Sequence, residues 1–259
     1  MGQCNSPQKI GEVMYHFFAK HENIFADHIV IDGDDVNHIK NVVRLKENDN
    51  VIISSGDNVD YYCHLSELGE DQITAVIDQV DEEGRELPCR IYLFQGLPKA
   101  DKMELIIQKA VELGACEIIP VAMKRSVVKL DAKKEASKLK RWSMIAESAA
   151  KQSKRSIIPA ITNVKTFKEA VAYANDLDVL LLPYECAEGM EETRRIVRDI
   201  KPGQSIGIFI GPEGGFESSE LELAQEAGSK IVTLGKRILR TETAGMMLLS
   251  VLMFELEDR

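Results

Sequence analysis

The stretch from Arg90 to Ala122, RIYLFQGLPKADKMELIIQKAVELGACEIIPVA, decides the fold class. Arg90 to Gln95 is a short apolar and aromatic run that reads as a strand. Asp101 followed three residues later by Glu104 is a D-x-x-E pattern that opens a helix, and Gly114 ends it. Glu117 to Ala122 is a second strand. Two strands joined by a helical crossover lie parallel, so the segment predicts a βαβ unit.

The same alternation continues downstream. A long basic helix over about residues 133–153 and a helix near 166–175 precede a strand from Asp178 to Leu182. A helix near 188–199 and a strand from Ser205 to Ile210 follow. Ser219 and Glu222 form a second capping pattern for a helix that stops at Gly228, and Lys230 to Leu234 is a strand. A last helix runs from about Thr243 to Leu256. This order predicts an α/β domain with a mainly parallel sheet covered on both faces. The last helix is apolar all round from Met246 to Phe254 apart from Ser250, so it needs cover on several sides. Packing against another subunit is favoured over enclosure within one small domain.

Upstream the texture differs. Tyr15 to Ala19, His28 to Ile31, Asn50 to Ser54, Asp60 to Leu65 and Gln72 to Val80 read as short strands, broken by Asp32-Gly33-Asp34-Asp35 and Ser55-Gly56-Asp57-Asn58 turns. One helical stretch, Asp35 to Val43, interrupts them and ends at Arg44. Residues 14–86 are therefore expected to form a small β-barrel, with the acidic linker Asp81 to Pro88 as the domain boundary. Two domains suit a chain of 259 residues.

The formal net charge of −10 taken as one number argues against a nucleic-acid partner. Its distribution reverses that inference. Residues 1–85 carry 6 basic and 17 acidic side chains, net −11, and the remaining residues carry net +1. Within them, residues 124–155 hold 11 basic side chains against Asp131, Glu135 and Glu147, net +8. A local basic track on an acidic protein is compatible with phosphate contacts, or with an ordinary solvated helix face.

The five cysteines (Cys4, Cys63, Cys89, Cys116, Cys186) are scattered and include no C-x-x-C pair, which fits a reducing compartment. No apolar run approaches the roughly 18 residues that span a bilayer, and no signal-peptide pattern opens the chain. A cytoplasmic protein with no membrane partner is expected. Met1-Gly2-Gln3-Cys4-Asn5-Ser6 matches the myristoylation pattern, although a disordered leader over residues 1–13 is the simpler reading.

Two strand ends are followed by loops suited to chemistry. Gly211-Pro212-Glu213-Gly214-Gly215-Phe216 follows Ile210, and Gly235-Lys236-Arg237-Ile238-Leu239-Arg240-Thr241-Glu242-Thr243-Ala244 follows Leu234. In open α/β sheets ligands bind outside the carboxyl ends of the strands, and glycines there let a ligand approach the backbone. Neither loop is a P-loop or a dinucleotide-binding fingerprint, because G-x-x-x-x-G-K-[ST] and G-x-G-x-x-G are both missing. No H-E-x-x-H or clustered Cys/His set suggests a metal. All five histidines (His16, His21, His28, His38, His64) precede the α/β domain, so its proton chemistry must use carboxylates, arginines or water, or borrow a group from the barrel.

At these loops the sequence resembles the RsmE family, the 16S ribosomal RNA uridine-N3 methyltransferases of the SPOUT superfamily. Further matching segments are His38-Ile39-x-x-Val42-Val43-Arg44-Leu45, Lys102-Met103-Glu104, Gln108-Lys109-x-x-Glu112-Leu113-Gly114, Pro120 with Arg125-Ser126-Val127, and Glu147-x-x-x-x-Gln152 with Arg155 and Pro159. The resemblance implies a PUA-like β-barrel, a trefoil-knotted methyltransferase domain, and a homodimer joined through the C-terminal helix. It implies S-adenosylmethionine as cofactor, surrounded by Leu182, Pro183, Gly211 to Gly215, Leu234, Gly235 and Ile238 to Ala244. It implies 16S rRNA, free or in the assembled small ribosomal subunit, as partner. The family's first strand often carries an Arg where this chain has His16.

A sulfonium methyl is already electrophilic, so catalysis chiefly requires in-line placement of the uridine nitrogen. That nitrogen must also lose its proton. Arg240, Arg125 or Arg155 is expected to stabilise the developing charge on the uracil carbonyls, while Glu213 or water takes the proton. N3 lies on the pairing edge, so the base must be unpaired or flipped. Arg44, Lys124, Arg125, Lys151, Gln152, Lys154 and Arg155 are the expected RNA contacts. The alternatives are a related SPOUT enzyme acting on another RNA or atom, and a non-catalytic RNA-binding dimer.

Overall fold

The computed structural model describes residues 14–185 and 189–257. The expected leader over residues 1–13, with its myristoylation pattern, lies outside the described residues, as does Cys186. Internal contacts separate the chain between Gly84 and Arg85 into two compact units.

In the first unit, β1 (Tyr15–Phe18), β2 (His28–Asp32), β3 (Asn50–Ser54), β4 (Asp60–Leu68) and β5 (Gln72–Asp81) form one sheet in the order β1-β3-β4-β5-β2. β1 and β3 run parallel and the other pairings are antiparallel. The sheet curls around Phe17, Ile29, Ile31, Val51, Ile53, Leu65 and Ile73, but β1 and β2 remain its edges, so the ladder is not closed as in a full barrel. The helical stretch is split. α1 (Asp34–Asn37) passes into a π-helical turn over His38–Val43, and Arg44 ends it in the left-handed region at φ 58°.

His16 alternates with Phe17 and points to the other face of the sheet, the face that Phe18 and Ser54 share. Its Nε2 lies 2.6 Å from Ser54 Oγ, and the Ser54 hydroxyl donates to the carboxylate of Asp60. All three side chains are buried. His16 thus serves a buried polar network.

In the second unit, β6 (Arg90–Gly96), α2 (Lys102–Glu112) and β7 (Ala115–Ala122) form the expected βαβ unit, with β6 and β7 parallel. α3 (Ala132–Ser153), β8 (Ala160–Ile161), β9 (Lys165–Thr166), α4 (Phe167–Ala174) and β10 (Val179–Pro183) follow. Then come α5 (Met190–Asp199), β11 (Ser205–Ile210), α6 (Ser218–Glu226), β12 (Lys230–Val232) and α7 (Thr241–Leu256). The sheet order is β12-β10-β11-β6-β7-β8, with β9 also on β7, and every pairing is parallel. β11 is buried along its whole length, as a central strand covered on both faces must be. Phe94 stacks on Phe209 at 4.5 Å between ring centroids, and Phe167 and Phe216 extend this aromatic layer.

Helix starts differ from expectation in three places. The Asp101 side chain does not cap α2, where the Glu104 amide donates to the Asp101 backbone carbonyl instead, and the Glu104 carboxylate that would close the box accepts from Arg141 Nε and Nη2 at 2.6 and 2.7 Å. The capping box of α6 is Glu217 with Glu220 rather than Ser219 with Glu222. α7 begins at Thr241, two residues early, and buries Leu248, Leu249, Leu252 and Leu256. On its other side Phe254 is 81% exposed. Among the described residues no helix is long and apolar enough to cross a membrane. Cys63, Cys89 and Cys116 are free thiols, and burial pushes Cys63 up to about 12.

Candidate functional site

The carboxyl ends of β10, β11 and β12 open into a cavity of about 400 Å³. Its floor is the Gly211–Phe216 loop. Pro212 O accepts from Gly215 N at 2.9 Å, and Gly215 takes φ 68°, which closes a tight turn that suits glycine. Phe216 then folds back into the aromatic layer. Gly96 is what lets this loop lie on β6. A Cβ there would sit 2.7 Å from Pro212 Cδ and 2.8 Å from Pro212 N, and no neighbouring backbone can yield that much.

Arg125 braces the same loop. Its Nη1 donates to Gly214 O and its Nε to Glu217, both at 3.1 Å, while a Cβ on Gly214 would meet Arg125 Cβ at 2.9 Å. Lys124 is tied down beside it, its amide donating to Glu220 and its ammonium to Ser219 Oγ at 2.7 Å.

The second loop forms the opposite wall. Thr193 Oγ1 accepts from Thr233 N and donates to Thr233 O, which anchors the end of β12 to α5. Gly235 turns the chain at φ 107°. From there the loop passes through exposed residues to Arg240, which precedes α7 and provides no side-chain cap for it. Thr241 Oγ1 donates to Gly211 O at 2.6 Å and joins the two loops.

An ionic clasp adds to this. Lys102 Nζ lies 2.9 Å from Glu213 and 3.3 Å from Glu242, and the Lys99 amide also donates to Glu213. Partial burial pushes the Glu213 carboxyl up, but Lys102 and the backbone donors outweigh it and hold that carboxyl below its ordinary value. Such a carboxylate is a poor proton acceptor.

Most residues expected around a cofactor line this cavity: Pro183, Gly211 to Gly215, Leu234, Gly235, Ile238 to Thr241 and Ala244. Leu182 is buried in the core, and Glu242 and Thr243 do not reach the cavity. Tyr184 and Glu185, which follow β10, and Arg237 of the second loop also line it and were not singled out from the sequence. Among the expected catalytic residues, Arg240, Arg125 and Glu213 are brought together. Arg240 is exposed, with no ion pair among the described residues.

Arg155 is a correction on both counts, as a catalytic and as an RNA-binding residue. Its guanidinium is buried, ion-paired to Glu86, and donates to Val111 O and Ala115 O at 3.0 and 2.5 Å. It does not line the cavity. Nearby Lys151 pairs with Glu147 at 3.0 Å, Gln152 is exposed, and Lys154 is the left-handed cap of α3. Arg44 is exposed on the first unit.

The basic segment is also weaker in space than along the chain. Glu86, Asp101, Glu104 and Glu217, all outside it, pair with Arg155, Lys138, Arg141 and Arg125, halving its excess to +4. Lys129, Lys133 and Lys140 are exposed without an ion pair among the described residues. No group of three or more His, Cys, Asp or Glu among the described residues is placed to hold a metal.

Comparison with known proteins gives two matching family models. One, described as an RNA methyltransferase domain, matches residues 85–253, and the other, an RNA methyltransferase PUA domain, matches residues 31–78. The chain is 40% identical over 230 residues to ribosomal RNA small subunit methyltransferase E of Bacillus subtilis, covering 88% of this chain and 90% of that protein. It is 31% identical, with a TM-score of 0.80, to the crystal structure of a ribosomal RNA small subunit methyltransferase E from Neisseria gonorrhoeae bound to S-adenosyl methionine, covering 93% and 98% of the two chains. A Legionella pneumophila putative methyltransferase in complex with SAM matches with the same TM-score of 0.80 at 28% identity, covering 93% of this chain and 97% of that one.

Proposed function

Because the chain belongs to the ribosomal RNA small subunit methyltransferase E family, we propose that it methylates N3 of a uridine in the decoding region of 16S rRNA, with S-adenosylmethionine as donor. The observation that carries this reading is the convergence of the glycine-bearing loops that follow β11 and β12, the parallel strands on either side of β10, on one cavity of about 400 Å³, a size suited to a small-molecule site. Its walls offer backbone groups at Gly211, Gly214, Gly215 and Gly235, and no side chain caps α7 where that helix meets the cavity. These features suit a flexible zwitterion gripped by main chain.

When bound, S-adenosylmethionine supplies a methyl group activated by its sulfonium. As the N3–CH₃ bond forms, the S–CH₃ bond breaks and the N3 proton leaves to solvent, giving S-adenosylhomocysteine. Arg240 steadies the charge that develops on the uracil carbonyls, since its guanidinium lines the cavity without an ion pair among the described residues. Arg125 and Glu213 shape the loop. Glu213 is already committed to Lys102 and two loops' worth of positioning, so water is the proton acceptor.

Arg44, Lys124, Lys151, Gln152 and Lys154 contact RNA phosphates, and the PUA unit contributes to binding. A second copy seats on α7, where Phe254 and a groove of about 640 Å³ between α5 and α7 are open. A trefoil-knotted connection and a cytoplasmic location belong to the same reading. Isothermal calorimetry with S-adenosylmethionine tests it, with saturable one-to-one binding expected. Absence of heat would leave an RNA-binding protein without catalysis and refute the proposal.

A further inference from the structure

Beneath the cavity a chain of hydrogen bonds starts at a residue outside both loops. Gln95, fully buried near the end of β6, sets its Nε2 2.9 Å from Gly96 O and 2.9 Å from Thr241 Oγ1. A backbone carbonyl can only accept, so Gly96 fixes which end of the carboxamide is nitrogen. Thr241 Oγ1 therefore accepts from Gln95, and its single proton goes to Gly211 O. The direction of every bond is determined: Gln95 donates to Gly96 and to Thr241, and Thr241 donates to Gly211. Thr241 and Gly211 line the cavity, whereas Gln95 does not.

The other end of the carboxamide is unusual. Gln95 Oε1 is buried and has no hydrogen-bond partner. An orphaned acceptor in the interior destabilises a fold, and a side chain of the same shape without it is tolerated there. Gln95 lies in register with Ile210, the residue before Gly211, so its carboxamide sits directly beside the strand that leads into the loop. The amide nitrogen gives a reason for its presence. It holds the lone pair of Thr241 Oγ1, which leaves the hydroxyl proton only Gly211 to face.

We infer that Gln95 is a positioning residue for the cofactor cavity, orienting the Thr241 hydroxyl onto the Gly211 carbonyl and so fixing the spacing of the two loops. The inference rests on the functional reading above. Gln95 trades stability for that spacing, which separates it from an ordinary core residue, whose loss lowers stability and binding together.

The test is the full-length Gln95→Met protein, which keeps the side-chain length and removes both hydrogen-bonding ends. Its unfolding midpoint is expected to stay close to that of the unaltered protein, because removal of the orphaned Oε1 offsets the donor lost to Gly96 O and Thr241 Oγ1. Its dissociation constant for S-adenosylmethionine is expected to rise about tenfold, with KM for the cofactor rising alike and KM for small ribosomal subunits within twofold. Unchanged cofactor affinity, or a fall in midpoint and affinity together, overturns the proposal. If Gln95→Met is not recovered folded, Thr241→Val and Thr241→Ser decide. Weakened binding in Val with near-normal binding in Ser supports the relay, and equal affinities overturn it. Binding by the unaltered protein is the control: its absence refutes the functional reading and not the relay.

Discussion

Arg155→Met is expected to cost the protein about 4 kcal/mol of stability while leaving chemistry intact in the molecules that remain folded. The guanidinium and the Glu86 carboxylate are only 7% and 13% exposed. Nε donates to both Glu86 oxygens at 3.2 and 3.1 Å, and Nη1 serves Val111 O and Ala115 O. Glu86 also accepts from the Ser156 and Ile157 amides at 3.1 and 3.2 Å, so it cannot swing out to water without breaking further bonds. Methionine refills the methylene volume but strands the carboxylate. Breaking a buried pair from one side costs about 3–5 kcal/mol, and a carbonyl that loses its donor about 1–3 kcal/mol, with overlap between the two. Against a typical stability of about 5–15 kcal/mol, the variant still folds. Arg155→Met with Glu86→Gln removes both charges and is expected to recover much of the loss. Urea unfolding followed by circular dichroism measures all three proteins, and the non-additivity gives the coupling. A single variant within about 1 kcal/mol of the unaltered protein would refute the structural role, as would native stability with methyl transfer abolished.

Gly96→Ala places a methyl against Pro212 and Met123 at 2.7 Å, and should cost about 1–3 kcal/mol and weaken cofactor binding in the same calorimetric titration. Gly245→Ala meets nothing nearer than Ile210 at 3.7 Å, so helix propensity should raise stability by up to about 1 kcal/mol, visible as a higher melting temperature. The lowered Glu213 carboxyl sets a pH limb. The Lys102–Glu213 link is fully present above the ordinary glutamate value of 4.5 and is lost as pH falls through the lower folded value. Cofactor affinity should therefore hold from neutrality to below that value. In Lys102→Met the remaining burial lifts the carboxyl, so the acid limb should move upward; an unmoved limb would free Glu213 from the clasp.

Much of the second unit was legible because its signals are local. The βαβ reading of residues 90–122 needs only strand runs, a glycine stop and a crossover, and the parallel sheet follows from chain connectivity. The two loops were legible for the same reason, since glycines after a buried strand mark a carboxyl-end site. Arg155 was misread because its partner, Glu86, lies 69 residues away, and charge counted along a chain does not see such a pairing. Asp101 and Ser219 fit capping patterns, yet Arg141 takes up the Glu104 carboxylate and Glu217 caps α6 in place of Ser219, through contacts and register that spacing alone does not rank. Gln95 sits in an apolar strand with nothing to mark it. Its role appears only when Gly96, Thr241 and Gly211 are brought together by the sheet.

The most direct test of the function is mass spectrometry of nucleosides from small-subunit rRNA after purified protein and S-adenosylmethionine have acted on subunits from a strain lacking the gene. One 3-methyluridine per small subunit should appear with the unaltered protein, and far less with Arg240→Ala at saturating cofactor and subunit. Methylation at another atom, or no incorporation by a protein that binds the cofactor, would contradict the assignment.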